Sequence, residues 1–205
     1  MKTSIYSRHR FHSDIIKRAV WLYYRFNLSF RDVEELMAER GVDLPYESVR
    51  RWIDKFGQVY AKRIRVRYER PSSVWHLGEV FTKINGNKVY IWCAVDDEGT
   101  VLDILVQRRK NRKAALRLMR KLLRRQGVGG RKNNRAECSH VPIRRRERKA
   151  QKFRSIKAAQ RLLSAHSQIY NLFNFRRHLI SRPSLRKFRS ITQNEWDIVT
   201  ASACA

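Results

Sequence analysis

The pair Asn85-Gly86 constrains the fold more than any other two residues of the chain. Asn-Gly is the preferred pair for a two-residue type I′ turn, in which both residues take positive φ and the flanking strands pair with their natural twist. The flanks "VWHLGEVFTKI" and "KVYIWCAVD" are rich in aromatic and branched residues, as strands are. A second turn signal, "DDEG" at 96–99, leads into "TVLDILVQ". These signals predict three antiparallel strands, 74–84, 88–96 and 100–107. Asp96 and Asp97 read as turn residues, and Asp103 as a residue alternating out to solvent. Gly78 is a defect in the first strand, since glycine has no side chain to pack and loses the most backbone freedom on folding.

Upstream of the strands the period changes from 2 to 3.6. Ile15, Ile16, Ala19, Val20, Leu22 and Tyr23 fit one helix, with Ser13 as its N-cap. Ser29 caps a second helix carrying Val33, Leu36 and Met37; Asp32 suits its first turn and Gly41 its stop. A third helix opens at Pro45 and turns Val49, Trp52, Ile53 and Phe56 inward. The pattern fits a helix-turn-helix with a recognition helix at 46–56, and equally an ordinary three-helix bundle with a solvated basic face. Residues 57–73 read as a basic connector ending at Pro71. After the strands, 111–127 is helical, Pro142 interrupts the basic stretch 135–153, and 154–172 is a long helical pattern. The last twenty or so residues are less patterned.

Charge decides between the readings of the first three helices. The 205 residues include 46 Lys and Arg against 18 Asp and Glu, a formal net charge of +28. So large an excess calls for a polyanionic partner, and basic residues interleaved with apolar ones place the charge on folded elements. No apolar run reaches the ~18 residues of a spanning helix, so nucleic acid is favoured over a membrane. Cys93, Cys138 and Cys204 form no C-x-x-C pair and fit a reducing compartment.

The ordered set "FRDVEELMAERGV…ESVRRWI", "WHLGEVFTKINGNKVYIWCAVDDEGTVLD", "RRKNRKAALRLMRKLL" and "NNRAECSHVPIRRRERKAQKFRS" resembles the transposases of bacterial insertion sequences with a DDE catalytic core, of the insertion sequence six family. The resemblance implies an α+β fold: an N-terminal helix-turn-helix followed by a ribonuclease H-like core, in which three carboxylates hold Mg²⁺. Two such ions stabilise the attacking and leaving oxygens of phosphodiester transfer together. The family's first strand reads His-Leu-Asp-Glu, and here it reads His76-Leu77-Gly78-Glu79. Gly78 thus stands in the first ligand's place, and Glu79 points to the opposite face of the strand. The second Asp is missing, because no Asp or Glu occurs between Asp103 and Glu137. Only Gly127–Lys132 separates the helix from "NNRAE" where the family carries two strands and a helix. Glu137 is the sole retained triad member, followed by Cys138 where the family has Asn.

The expectation is therefore an internally deleted, catalytically defective transposase-family chain. Residues 1–60 form the DNA-binding domain, 61–73 a basic linker, and 74–205 an incomplete core without the later parallel strands. Tyr46, Ser48, Arg50, Arg51 and Lys55 are expected at DNA from the third helix. Arg144, Arg145, Arg146, Arg148 and Lys149 are expected at phosphates. No metal or cofactor is expected to bind tightly, Mg²⁺ being the cofactor of intact relatives. The partner implied is double-stranded insertion-sequence end DNA, with dimerisation, through itself or an intact transposase, in a cytoplasmic, nucleoid-associated setting. Two alternatives are a domesticated DNA-binding regulator or inhibitor, and an active enzyme using a displaced acid such as Glu79 or Asp96.

Overall fold

The computed structural model describes residues 4–67, 74–126, 130–132, 140–149, 153–175 and 179–201. The chain divides into two compact units, Met1–Val66 with Leu172–Ala205, and Arg67–Asn171.

The first unit is helical. α1 (Ser13–Arg25) buries Ile16, Ala19, Val20 and Tyr23. Its N-cap is His12 rather than Ser13, the imidazole accepting from the Asp14 N–H. α2 (Phe30–Ala38) opens with a reciprocal capping box: Asp32 N–H donates to Ser29 Oγ at 3.1 Å, and Ser29 N–H to Asp32 Oδ2 at 2.9 Å. Gly41, with φ 74°, turns the chain after it. α3 (Tyr46–Arg67) is far longer than the expected 46–56. Tyr60, Ala61 and Ile64 continue the buried stripe of Val49, Trp52, Ile53 and Phe56 at helical spacing, so the first part of the expected linker is helix.

The terminal residues hold an element that the sequence reading left unassigned, α7 (Arg182–Thr200), capped by Ser181 with Pro183 in its first turn. α3 grips its C-terminal end. Arg63 donates to the carbonyls of Val199 and Ala201 at 2.7 and 2.9 Å, satisfying orphan acceptors where the helix dipole is negative. Tyr6 Oη donates to the Thr200 carbonyl at 2.5 Å, so the 2.6 Å bond between Tyr6 and Tyr60 takes its proton from Tyr60. Trp196 meets Tyr60 edge-on. These bonds explain why residues from Leu172 onward group with the first helices and not, as expected, with the core.

The second unit is a sheet between helices. β1 (Val74–Ile84), β2 (Asn87–Asp96) and β3 (Val101–Gln107) form the expected meander, in register from Trp75 opposite Asp96 to Ile84 opposite Asn87. Asn85 and Gly86 both have positive φ, as the type I′ turn requires. α4 (Arg112–Gln126) follows. The expectation of no later parallel strand is corrected: β4 (Gly130–Lys132) pairs parallel to Val74–His76, giving the order β3-β2-β1-β4. α4 is the crossover that carries the chain from β3 to the parallel β4. α5 (His140–Lys149) forms although it contains Pro142, because a proline in the first turn has no intrahelical N–H bond to lose. α6 (Ile156–Phe173) follows.

The two sheet faces are packed differently. Ile84, Val89, Ile91, Cys93, Val95, Ile104 and Val106 pack with Ile143 of α5 and Ala159 and Leu163 of α6. Trp75, Ala94 and Leu102 pack with Leu118 and Leu122 of α4. Beyond β4, α5 lies along the β1 edge. Thr82 and Phe81, which point to opposite faces, both reach it, Thr82 by a hydrogen bond to Glu147 and Phe81 beneath the Arg144 guanidinium.

Gly57, inside α3, is backed by the Tyr24 hydroxyl, which a Cβ at 57 would overlap. Gly→Ala in a free helix stabilises by roughly 1 kcal/mol. Here Gly57→Ala is expected to destabilise by about 1–3 kcal/mol through overpacking. A raised melting temperature would contradict the close approach of the two helices.

Candidate nucleic-acid interface and catalytic remnant

Position 78 lies opposite Cys93, so its side-chain direction is that of His76, Val80 and Thr82, toward α5 and α6. Cys93 is buried there, and α5 and α6 contribute two basic groups, Arg146 and His166, both buried. Burial first, and the Arg146 charge second, hold the His166 imidazole neutral with its pKa lowered to about 3. Arg146 corrects an expectation: it lies one turn from Ile143 on the buried side of α5 and cannot reach a phosphate without leaving the core. Arg145, Arg148 and Lys149 are exposed, and Arg144 is half-buried.

The carboxylates that might have replaced a ligand at 78 each have another partner. Glu79 lies on the α4 face, opposite Trp92, and takes a 2.5 Å ion pair from Lys110. Asp96 caps its turn, accepting from the Glu98 and Thr100 N–H groups at 2.9 and 2.7 Å. Asp97 accepts from or pairs with the buried His76 at 2.8 Å. Asp103 is not solvent-facing as expected. It stands opposite Ala94 beneath α4, buried, with Lys121 Nζ 2.5 Å from its carboxylate and the Ile104 N–H bonded to it. Alternation was right for its face, but α4 covers that face. Glu147 carries a raised pKa because burial outweighs the nearby Arg144 and Arg148. Glu137 and Cys138 lie outside the described residues.

The described residues do not fit a two-metal centre. Among the described residues no group of three His, Cys, Asp or Glu could hold an ion. A Mg²⁺ site needs several hard oxygen donors converging, whereas on the face that position 78 addresses Thr82 and Glu147 bond each other, His76 holds Asp97, and the rest is a thiol, aliphatic side chains and a buried guanidinium.

The other candidate surface is α3. Arg51, Lys55 and Lys62 are exposed, with the half-buried Gln58 between them, opposite the buried stripe. Lys55 Nζ lies 2.9 Å from His9 Nε2. Arg50, expected at DNA, is half-buried and paired to Glu47 at 2.8 Å, the acid holding its charge and raising its pKa. Tyr46 is exposed at the helix start; its N–H donates to Glu34 Oε1 at 3.0 Å, and the Arg31 guanidinium sits over its ring. Ser48 is half-buried. Sequence reading missed Lys62 because it ended the helix at 56; the continuing stripe at Tyr60 and Ile64 was the available signal.

The comparison with known proteins bears on the sheet unit first. A DDE domain matches residues 72–131, from the start of β1 through β4. The transposase for the insertion sequence-like element IS431mec of Staphylococcus aureus is 30% identical over 118 residues, 58% of this chain and 53% of that protein. The transposase for insertion sequence element IS257 in transposon Tn4003, from the same species, is 29% identical over the same length. The chain is thus similar to transposases of bacterial insertion sequence elements, and its sheet unit to a DDE domain. Its match spans about half the length of these curated relatives. No described helix is long and apolar enough to cross a membrane.

Two tests follow. Gly78→Asp restores one family position without its neighbours, and Mg²⁺ is expected to leave the melting temperature of this variant unchanged; a Mg²⁺-dependent rise would show that a metal site had been reassembled. His166 is neutral when folded and titrates near its ordinary 6.5 when unfolded. Only the unfolded chain therefore takes up the proton as pH falls below 6.5, and stability is lost in that direction. The sheet unit should lose about 2 kcal/mol between pH 7 and pH 5 from this group. Hydrogen exchange of β2 amides at the two pH values, with His166→Gln as the comparison, measures it; equal pH dependence in both proteins would contradict the assignment.

Proposed function

We propose that the chain binds duplex DNA at insertion-sequence ends through α1–α3 and cannot itself cut it. The observation that carries the reading is the cationic stripe on α3. Arg51 and Lys62 are eleven residue steps apart, about 16 Å along the helix, against a major groove about 12 Å wide. A helix seated in the groove would meet phosphates near both ends, while Tyr46 and Ser48 at its start face base edges. The segment joining α2 to α3, Glu39–Pro45, is longer than the usual helix-turn-helix turn of 3–4 residues. The arrangement is therefore read as a variant of that motif, with residues 1–60 at its centre and α3 extending beyond it.

Arg145, Arg148 and Lys149 add phosphate contacts from the core; such contacts give affinity without sequence information. The catalytic defect rests on Gly78 and on the engagement of Glu79, Asp96, Asp97 and Asp103 elsewhere. The reading of an active enzyme with a displaced acid fares worst at Glu79, which lies on the far face of β1 and is neutralised by Lys110. Association with an intact transposase would then regulate or inhibit transposition by occupying its DNA.

Arg51→Ala with Lys55→Ala should weaken duplex binding and reduce the log–log salt slope by about 1.8, at 0.9 per phosphate contact. Fluorescence anisotropy with labelled terminal-repeat duplex over a salt series reads both. An unchanged slope would remove α3 from the interface.

A further inference from the structure

The sheet face beneath α4 is covered along only part of its length. On β1 its side chains run Trp75, Leu77, Glu79, Phe81, Lys83, and opposite them on β2 stand Ala94, Trp92, Tyr90 and Lys88. Trp75, Leu77, Ala94 and Trp92 pack with α4. The Glu79–Lys110 ion pair comes next, and beyond it Phe81 faces Tyr90 and Lys83 faces Lys88.

Two features of this patch are costly for a surface with no partner. Phe81 is 51% exposed in the middle of a strand, leaving a large apolar ring in water. Lys83 and Lys88 are directly opposite one another, and like charges in that position destabilise a sheet. Further positive charge surrounds the ring. Lys88 Nζ lies 4.5 Å from its centroid and 5.3 Å from that of Tyr90, and the Arg144 guanidinium of α5 lies 5.6 Å from Phe81. The acids of the region are engaged: Glu79 by Lys110, and Glu147 by Thr82, with Arg144 at 3.9 Å.

We propose that Phe81 and Tyr90, with Lys83, Lys88 and Arg144, form a platform that binds single-stranded DNA. Unpaired bases stack on the rings, and their phosphates lie between the two lysines and beside Arg144. An anion there would remove the Lys83–Lys88 repulsion. Stacking selects a single strand because the base faces of a duplex are already taken by their neighbours. A duplex could use only the cations, and an acidic protein segment would leave the ring unused. The platform is separate in sequence and in unit from the α3 stripe, so it stands or falls independently of duplex binding there.

The test uses the full chain with a labelled oligothymidine of about 15 nucleotides, within the usual site range of ~4–16, alongside a labelled terminal-repeat duplex. Phe81→Leu keeps an apolar side chain and removes the ring. It should weaken oligothymidine binding about fivefold or more and leave duplex binding unchanged, while Phe81→Tyr retains both. Lys83→Gln with Lys88→Gln should lower the oligothymidine salt slope by about 1.4, at 0.7 per single-strand phosphate. Equal loss for both DNAs, no loss with Phe81→Leu, or loss with Phe81→Tyr would overturn the platform. Polyglutamate that displaces oligothymidine equally from the parent and Phe81→Leu proteins would assign the patch to acidic protein instead.

Discussion

Adjacent residues of a strand point to opposite sides of the sheet, and in β1 that rule separates everything the core could use. Position 78 addresses the α5–α6 layer, while Glu79 addresses the α4 layer. A carboxylate one residue away in sequence is therefore on the wrong side of a continuous hydrogen-bonded sheet. Shifting it would slip the register of β1 and turn every apolar side chain of the strand over. The same alternation puts Asp103 beneath α4, where Lys121 neutralises it, and leaves Phe81 and Lys83 beyond the end of that helix's cover.

Charge in the interior of the sheet unit is arranged for packing. Asp103 with Lys121 is an ion pair half in the core, and removing either partner would strand the other's charge or its hydrogen-bonding groups. Arg146 and His166 share the opposite layer, where the imidazole is held neutral beside a guanidinium. A layer carrying a buried cation is a poor host for divalent metal. Much of the chain's large positive excess is instead displayed on exposed positions of α3, α4 and α5.

The meander was legible because Asn85-Gly86 and the Asp96–Gly99 turn each demand a special backbone, and glycine with asparagine or aspartate supplies it. The α2 capping box was legible in the same way. β4 was not, since three residues reading Gly-Arg-Lys carry no apolar pattern and pair only because α4 returns the chain beside Val74–His76. α7 had local signals in Ser181, Pro183 and the spacing of Thr192, Trp196 and Val199. Its partners Tyr6, Tyr60 and Arg63 are more than a hundred residues away, and no local window shows them. Arg146 was misread because a run of basic residues looks uniformly solvated, although Ile143 one turn earlier marks the buried side of that helix.

On the proposed reading, the sheet has no centre for metal-dependent phosphoryl transfer. Incubation of the purified chain with labelled terminal-repeat DNA and Mn²⁺ or Mg²⁺, resolved on a denaturing gel, tests it most directly. A retarded but uncut duplex is expected at every metal concentration. Metal-dependent nicking or strand transfer that is abolished by Glu137→Ala would contradict it.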